Sequence, residues 1–388
     1  MKITRVEATW LQVPIPPAQQ HASDFGLATT FDTVLVRVDT DAGLTGWGEA
    51  KVSVGSSGDY HGVVAVINQE FGPRLVGEDP HAITRIWESL YNGTRAHYAL
   101  ARGHVFPAMC RRGASISAIS GIDIALWDLL GKALDVPVWQ LLGGRKAERM
   151  PAYASGGWAP ADQIGAQLKG YLAKGGFGAV KMRVGVFDGS PAASAERVIA
   201  AREALGPKVD IMCDAHGSFT VSEARQFCHL VRDCGVAWFE EPVTADDKRG
   251  MAEVRQGSAI PIAAGESEST RFDFRDLIDL RAVDILQPDL AICGGITEAM
   301  RISALASAAN LRLAPHLWAG APAFAAGLHV SAASPAAYIL EYSLGANPMI
   351  HDLVEEAFPV HDGMVDIPSR PGLGITIRSD FVDQYRKV

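Results

Sequence analysis

The sequence has few cysteines, and none stands in a pattern that would hold a metal or a disulfide framework. Five cysteines occur among 388 residues, an odd number without a CxxC pair. Such usage is typical of a reducing compartment. We interpret most of them as small core residues, and they are Cys110, Cys213, Cys228, Cys234 and Cys293.

Long apolar runs and runs of one charge are also missing. No stretch of ~20 apolar residues stands out as a membrane span, and the start, MKITRVEATWLQV, lacks the basic and apolar segments of a signal peptide. The formal charge is −9 without a long Lys/Arg run, whereas phosphate contacts need clustered cations. We therefore expect a soluble, cytoplasmic protein that acts on a small molecule and has neither a nucleic-acid nor a membrane partner.

What the sequence does contain is a repeated strand and helix pattern from about residue 150. Helical periodicity is clear at 194–206, 221–235 and 295–311, between β-rich runs. Strands that alternate with helices predict a parallel sheet, and eight of them predict a (β/α) barrel with its active site at the carboxyl ends of the strands. The eight predicted strands are 151–156, 178–185, 209–215, 236–241, 261–266, 282–288, 311–316 and 338–343.

The first part of the chain follows a different pattern. Two strand-like stretches meet at a turn, Asp41-Ala42-Gly43, and helical patterns follow at 62–72 and 81–92. We predict a small α+β domain over 1–128 that is completed by 359–388, with the barrel over 129–358. The Gly-, Ser- and Pro-rich stretches 16–26 and 53–62 are predicted to close over the site, although plain exposed connections would have the same composition.

Three acidic residues stand at equal spacing at the ends of three consecutive predicted strands: Asp214, Glu240 and Glu266. Because the carboxyl ends of parallel barrel strands meet at one rim, we expect these carboxylates to converge. Oxygen ligands without cysteine or clustered histidine favour Mg²⁺, with Mn²⁺ as the second choice. The alternation of side chains along a strand does not decide between Glu240 and its neighbour Glu241.

Two histidines stand at the same rim. Asp289 ends the sixth strand and His316 the seventh, and a carboxylate that holds an imidazole makes it a plausible general base. His216 follows two residues after Asp214. It is interpreted as a general acid for a leaving hydroxyl, or else as a residue that steadies a carboxylate.

Further charged residues complete the rim. Lys181 and Arg183 in the second strand should both face the interior, where they would stabilise an enediolate or form ion pairs with Asp214 or Glu240. Glu341 in the eighth strand is expected to be a protonated carboxyl that donates to the developing oxyanion. The stretch 94–106, TRAHYALARGHVF, offers polar side chains for sugar hydroxyls or a second carboxylate, or forms an interface loop.

The segment 114–144, with Asp123, Asp128, Gly131 and Lys132, resembles the signature helix of the mandelate racemase/muconate lactonizing enzyme group of the enolase superfamily. The resemblance covers essentially the whole chain. It implies an α/β fold, a modified TIM barrel of (β/α)7β type under an α+β capping domain built from the N-terminus and the C-terminal segment. Because members of the group are commonly homo-oligomeric, we expect a homo-oligomer.

The resemblance also implies roles for the rim residues. The Mg²⁺ ligands correspond to Asp214, Glu240 and Glu266, with Glu240 as the first residue of the Glu-Glu-Pro pair. Asp289 and His316 match the Asp–His dyad of the racemase-like subgroup. Glu341 matches its carboxyl that contacts the substrate carboxylate.

Within the group, the Asp-x-His at the third strand is similar to galactonate-dehydratase-like and mannonate-dehydratase-like enzymes, and the run 265–302 is similar to that of galactonate dehydratases. The implied activity is an acid-sugar dehydratase, a carbon–oxygen lyase. His316 would remove the C2 proton of an aldonic or aldaric acid and His216 would protonate the leaving C3 hydroxyl, giving a 2-keto-3-deoxy acid.

A racemase or epimerase of a 2-hydroxy acid is the alternative activity. The racemase's Lys-x-Lys is Lys181-Met182-Arg183 here, and guanidinium is a poor base because its pKa exceeds about 12. That departure disfavours racemisation, and it also leaves the identity of the acid sugar open. A third class is a metabolite-binding barrel that retains its metal without catalysis.

Overall fold

The structure is a computed structural model that describes residues 1–17, 20–52, 55, 57–108, 111–345 and 347–387, with the side chains of 21–23 left out. Cys110 and parts of the predicted loops 16–26 and 53–62 lie outside the described residues. The other cysteines are buried and carry free thiols. For these four, the interpretation as core residues is confirmed.

The N-terminal part forms a three-stranded antiparallel sheet in the order β1, β4, β5. A small hairpin, β2 with β3, lies between the first two strands in sequence. Gly43, at a φ of 75°, closes the predicted turn. The strands are β1 (Ile3–Pro14), β2 (His21–Ser23), β3 (Gly26–Ala28), β4 (Thr30–Thr40) and β5 (Thr45–Ala50).

Helices cover one face of this sheet. They are α1 (His61–Ala65), which continues through a π-helical segment (Val66–Phe71) into α2 (Gly72–Leu75), then α3 (Ile83–Asn92), a 3-10 turn (Gly93–Arg95), α4 (Ala96–Arg102) and α5 (Ala114–Ala133). Helix α5 lies directly on β5. The two are so close that a Cβ at Gly48 would come within 2.0 Å of the Gly121 carbonyl oxygen. Glycine at this position therefore permits the close contact between helix and sheet.

Helix α5 joins three parts of the molecule. Asp123 accepts hydrogen bonds from the amide and the hydroxyl of Thr297 in the barrel, at 2.9 and 2.6 Å. Asp128 accepts from the amides of Trp47 and Leu373, at 2.9 and 2.8 Å. This is the one helix of the described residues with the length and hydropathy of a membrane span, yet 78% of its most apolar window is buried inside the fold. It is a core helix.

The barrel contains eight parallel strands in chain order. The last strand, β13, pairs with the first, β6, and a parallel bridge from Leu313 to Ala337 links β12 to the residues just before β13, so hydrogen bonding continues around the ring. The strands are β6 (Arg149–Ser155), β7 (Ala179–Arg183), β8 (Asp210–Asp214), β9 (Val236–Glu240), β10 (Ile262–Ala264), β11 (Ile285–Leu286), β12 (Arg312–Leu313) and β13 (Leu340–Ser343).

Seven helices connect the eight strands, after a short α6 (Val138–Leu141) that leads into the barrel. They are α7 (Ala161–Gly175), α8 (Pro191–Leu205), which follows a 3-10 turn (Val186–Asp188), α9 (Val221–Leu230), α10 (Lys248–Gln256), α11 (Thr270–Asp279), α12 (Gly295–Ala308) and α13 (Ala321–Ala333). Apolar residues of strands and helices form one continuous core between the two layers. The predicted (β/α)7β barrel with an α+β capping domain is confirmed.

The C-terminal segment returns to the N-terminal part. It contains α14 (Pro348–His351), β14 (Val360–His361), β15 (Met364–Asp366) and α15 (Ser379–Tyr385). The amide of Lys387 donates to the Trp10 carbonyl at 2.9 Å, and Leu11 bridges Arg386. The predicted divisions at residues 128 and 358 stay predictions, and the first falls inside α5.

Candidate active site

Three carboxylates meet at the carboxyl ends of adjacent barrel strands. Asp214 ends β8, Glu240 ends β9 in register with it, and Glu266 follows β10. An oxygen of each lies within 4.8 Å of the others, and all three side chains are buried. Glu241 is not part of this group, so the strand geometry selects Glu240 from the pair.

These residues fit a divalent cation. Asp214 Oδ2 and both carboxylate oxygens of Glu266 are buried without a hydrogen-bond partner among the described residues, and buried polar atoms normally have one. Burial and the neighbouring carboxylates of Asp214 and Glu341 raise the pKa of Glu240 to about 8. A hard cation with oxygen preference would supply the missing partner and relieve that negative field.

Two cations and an indole hold the ligands in place. The Lys181 ammonium pairs with Glu240, with Asp214 Oδ2 at 3.3 Å and with Glu341 Oε1 at 2.9 Å. Arg183 Nη1 lies 3.0 Å from Asp214 Oδ1, and Trp238 Nε1 donates to Glu240 Oε2 at 2.9 Å. Lys181 and Arg183 thus form ion pairs with the predicted metal ligands, and their predicted role toward an enediolate stays a prediction.

Asp289 and His316 form a buried pair on the far side of the carboxylate group. Asp289 follows β11 and its Oδ2 lies 2.7 Å from His316 Nδ1. Because a carboxylate accepts, Nδ1 carries the proton and Nε2 is left facing Glu266 Oε2 at 3.4 Å. Burial alone would lower the pKa of His316, but Glu266, Glu341 and Asp289 together raise it to about 9.

His216 has a carboxylate partner of its own, and it comes from the N-terminal domain. Both oxygens of Asp24, which lies between β2 and β3, are 2.9 to 3.0 Å from His216 Nδ1. His216 Nε2 lies 3.9 Å from Asp214 Oδ2, and the ring of Phe25 packs at 4.5 Å. Burial would raise the pKa of Asp24, but His216 and Arg183 outweigh it and lower that pKa.

Glu341 differs from the protonated donor that we expected. Its Oε1 accepts from the Ser155 hydroxyl at 2.7 Å and pairs with Lys181, and its Oε2 accepts from the Leu317 amide at 3.0 Å. Burial would raise the pKa of this carboxyl, but Lys181, His316 and the two hydrogen bonds lower it to about 2. Glu341 is therefore an ionised acceptor.

A cavity of about 260 Å³ opens above these residues. Its inner end is lined by the charged side chains Lys181, Arg183, Asp214, His216, His316 and Glu341. Its outer end is lined by Phe25 and its neighbours to Ala28, by Gly55 and Ser57, and by Trp158 and Trp318. The described parts of both predicted loops thus reach the cavity. The polar stretch 94–106 does not, since none of its residues lines it.

Two buried residues at the end of β5 tie the capping domain to the loops that carry the Asp–His pair. Glu49 accepts from the amides of Gly320 and Ala323 at 2.7 and 3.1 Å. Lys51 donates from its ammonium to the Trp318 carbonyl at 2.9 Å and from its amide to the Ala291 carbonyl at 3.2 Å. These hydrogen bonds hold the loops after β11 and β12 against the capping domain.

Our sequence reasoning missed Asp24, Glu49 and Lys51. The signal for Asp24 was an acid inside a stretch predicted to close over the site. For Glu49 and Lys51 it was a charged pair at the end of an otherwise buried strand.

Known families match this chain along most of its length. The family described as enolase C-terminal domain-like matches residues 163–381. The family described as mandelate racemase/muconate lactonizing enzyme, N-terminal domain, matches residues 5–143. The predicted resemblance is confirmed.

Individual relatives span almost the whole chain. A D-galactarolactone cycloisomerase of Agrobacterium fabrum is 35% identical over 100% of this chain and 99% of its own length. A D-galactonate dehydratase of Ralstonia pickettii is 37% identical over 91% of each. The crystal structure of a racemase from Streptomyces coelicolor with bound magnesium superposes with a TM-score of 0.86 at 29% identity, covering 99% of this chain and 100% of that one.

Proposed function

The chain belongs to the mandelate racemase/muconate lactonizing enzyme family of the enolase superfamily, and we propose that it is a Mg²⁺-dependent dehydratase of an acid sugar. The observation that carries this proposal is the pair of carboxylate-bound imidazoles. His316 follows the seventh barrel strand and His216 follows the third, so they flank the carboxylate group from opposite sides of the ring. Elimination of water needs a base and an acid placed in this way.

Asp214, Glu240 and Glu266 would hold the metal ion. Mg²⁺ bound there supplies Lewis-acid stabilisation of the charge that develops on the substrate carboxylate. Lys181 and Arg183 lie beside these ligands and partly neutralise them. Because Glu341 is ionised and bound to Lys181, we assign it to orienting that ammonium and not to donating a proton.

His316 removes the C2 proton of the substrate through Nε2. Asp289 accepts a hydrogen bond from Nδ1–H, which fixes the ring with Nε2 directed at the cavity. The electron pair of the C2–H bond then becomes the enolate. Glu49 and Lys51 hold the loops after β11 and β12, which keeps base and carboxylate at a fixed distance.

His216 completes the elimination. Its Nε2 proton passes to the C3 hydroxyl oxygen, the C3–O bond breaks toward that oxygen, and water leaves. The new C2=C3 enol then tautomerises to the 2-keto-3-deoxy acid. Asp24 supports this step because its carboxylate is paired with Nδ1 and so holds the ring with Nε2 toward Asp214.

Lactone opening is the second candidate, because a cycloisomerase is among the relatives that span the chain. A lactone oxygen leaves as a carboxylate and needs no proton, whereas hydroxide needs an acid. The Asp24–His216 pair therefore favours dehydration. For racemisation, Lys181 and Arg183 are poorly suited as the second base, since both are bound to ligand carboxylates, and His216 would have to act as a base instead of an acid.

A screen of aldonic and aldaric acids with Mg²⁺ tests the proposal. We expect 2-keto acid formation, together with exchange of the C2 proton in deuterated buffer, and loss of both on chelation of the metal. Inversion at C2 with all hydroxyls retained would instead show a racemase, and consumption of lactones alone a cycloisomerase. Binding without exchange across the panel would leave a non-catalytic barrel.

A further inference from the structure

The cations that line the cavity are already paired at its inner end. Lys181 contacts three carboxylates and Arg183 contacts Asp214. These contacts leave them beside the metal ligands, where the reacting carboxylate of the substrate would bind. Lys181 and Arg183 therefore already have carboxylate partners among the metal ligands and Glu341.

Among the described residues, no charged side chain lines the outer end of the cavity. Its described lining there consists of the segment 25–28, Gly55, Ser57 and the indoles of Trp158 and Trp318, whose ring centroids lie 6.2 Å apart at 71°. Such a surface suits the C–H faces and hydroxyls of a neutral polyol chain.

The sequence of the two covering loops supports the same conclusion. The stretches 15–28 and 52–58 contain neither arginine nor lysine. Asp24 adds a negative charge, already paired with His216. His21, whose side chain lies outside the described residues, is the one other ionisable group in these two stretches.

We propose that the substrates of this chain are monocarboxylic sugar acids of the aldonic class, and that aldaric acids are rejected. A second carboxylate would lie against aromatic rings and backbone without a cation, close to Asp24, and burying an unpaired charge is strongly unfavourable. This inference rests on the proposed function, because it assumes that the reacting carboxylate takes the inner end.

The test compares each aldonic acid with the aldaric acid of the same configuration. Binding to the Mg²⁺-loaded protein is measured by calorimetry, and turnover by 2-keto acid formation. We expect the best aldonate to exceed its own aldarate roughly 100-fold in affinity and in kcat/KM. Equal or better binding of the diacid would overturn the inference even if dehydration is confirmed. Preferential aldonate binding without any turnover would support it while contradicting the proposed dehydratase.

A charge added to the outer end provides a second test. Ser57 is exposed on its loop, so Ser57→Arg should fold and should shift the aldarate-to-aldonate ratio of kcat/KM by about 10-fold or more toward the diacid. Ser57→Gln is the matched neutral control. The same shift in the glutamine variant, or none in the arginine variant, would show that lack of a cation does not set the preference.

Discussion

Two histidines of the site each bind a carboxylate, but they obtain it from different parts of the molecule. Asp289 and His316 both come from barrel strand ends, and their side chains are 1% and 6% exposed. His216 is paired with Asp24 of the capping hairpin, whose side chain is 14% exposed. One pair lies wholly within the barrel, whereas the other joins the barrel to the hairpin of the capping domain.

This difference separates the two proton transfers. In the proposed mechanism, removal of the C2 proton depends on residues of the barrel, held by Glu49 and Lys51. Loss of water depends on His216, whose carboxylate partner comes from the hairpin β2–β3.

The largest effect is expected from removing the barrel base. His316→Asn should reduce dehydration by about 10⁴-fold and should also abolish C2 proton exchange. No other described side chain occupies the position of this base. Mg²⁺ affinity, measured by calorimetry, should remain near that of the wild type. Exchange at the wild-type rate in this variant would remove His316 from the mechanism.

Loss of the acid should separate the two steps. His216→Asn is expected to lower dehydration by about 10³-fold while C2 proton exchange continues, since the Asp289–His316 pair is unchanged. The two rates are followed by 2-keto acid formation and by NMR in deuterated buffer. Full dehydratase activity would instead assign His216 to holding Asp214.

Removing the Asp24 carboxylate should also lower dehydration more than proton exchange, but by a smaller factor. Asp24→Asn is expected to lower dehydration by about 10- to 100-fold, comparable with other outer partners of a functional histidine, with exchange nearly unchanged. Asp59→Asn, an exposed acid on the neighbouring loop, is the control and should match the wild type. If exchange fell together with dehydration, the two pairs would not be independent.

The hydrogen bonds of Lys51 between the capping domain and the barrel should affect the Asp289–His316 pair. Lys51→Met removes the hydrogen bond to the Trp318 carbonyl, so we expect exchange and dehydration to fall together by about 10-fold, mainly in kcat. Thermal unfolding at a matched protein concentration would show whether the fold is intact. A loss of dehydration alone would mean that Lys51 serves the hairpin and not the base.

His329 is buried and has no carboxylate partner among the described residues. Its pKa is therefore shifted in the opposite direction from the pKa of His316. Burial lowers its pKa to about 4, and Nδ1 accepts from the Trp139 amide while Nε2 donates to the Leu373 carbonyl. Below about pH 6.5 this histidine is protonated in the unfolded chain, whereas in the folded protein it stays neutral down to about pH 4. The free energy of unfolding should therefore fall as the pH drops from about 6.5 to 4, by at most about 3 kcal/mol.

His329→Gln provides the comparison for this effect, because an amide can both accept and donate at that position. Urea unfolding at several pH values should show a shallower pH dependence in the variant than in the wild type. Parallel curves would mean that His329 does not titrate with unfolding.

Much of the fold was predictable because its signals are local and repeated. All eight predicted barrel strands are present, although some are shorter, such as β11, which spans Ile285–Leu286. The rim acids were also visible, since parallel strands bring their carboxyl ends to one edge whatever the loops do. The ionisation of Glu341 was not, because it depends on Lys181 from another strand and on the amide of Leu317.

The sequence by itself determined the barrel, the capping domain, the family and the positions of the charged residues at the strand ends. The barrel, the capping domain and the charged strand ends follow from periodicity and spacing along the chain, whereas the family follows from the resemblance of the segment 114–144 and of the rim residues. Tertiary structure alone decided that Asp24 meets His216, 192 residues away, and that Glu49 and Lys51 fix the loops beside Asp289 and His316. Such contacts arise where two independently formed surfaces pack together, and packing between distant segments leaves no periodic pattern in either one.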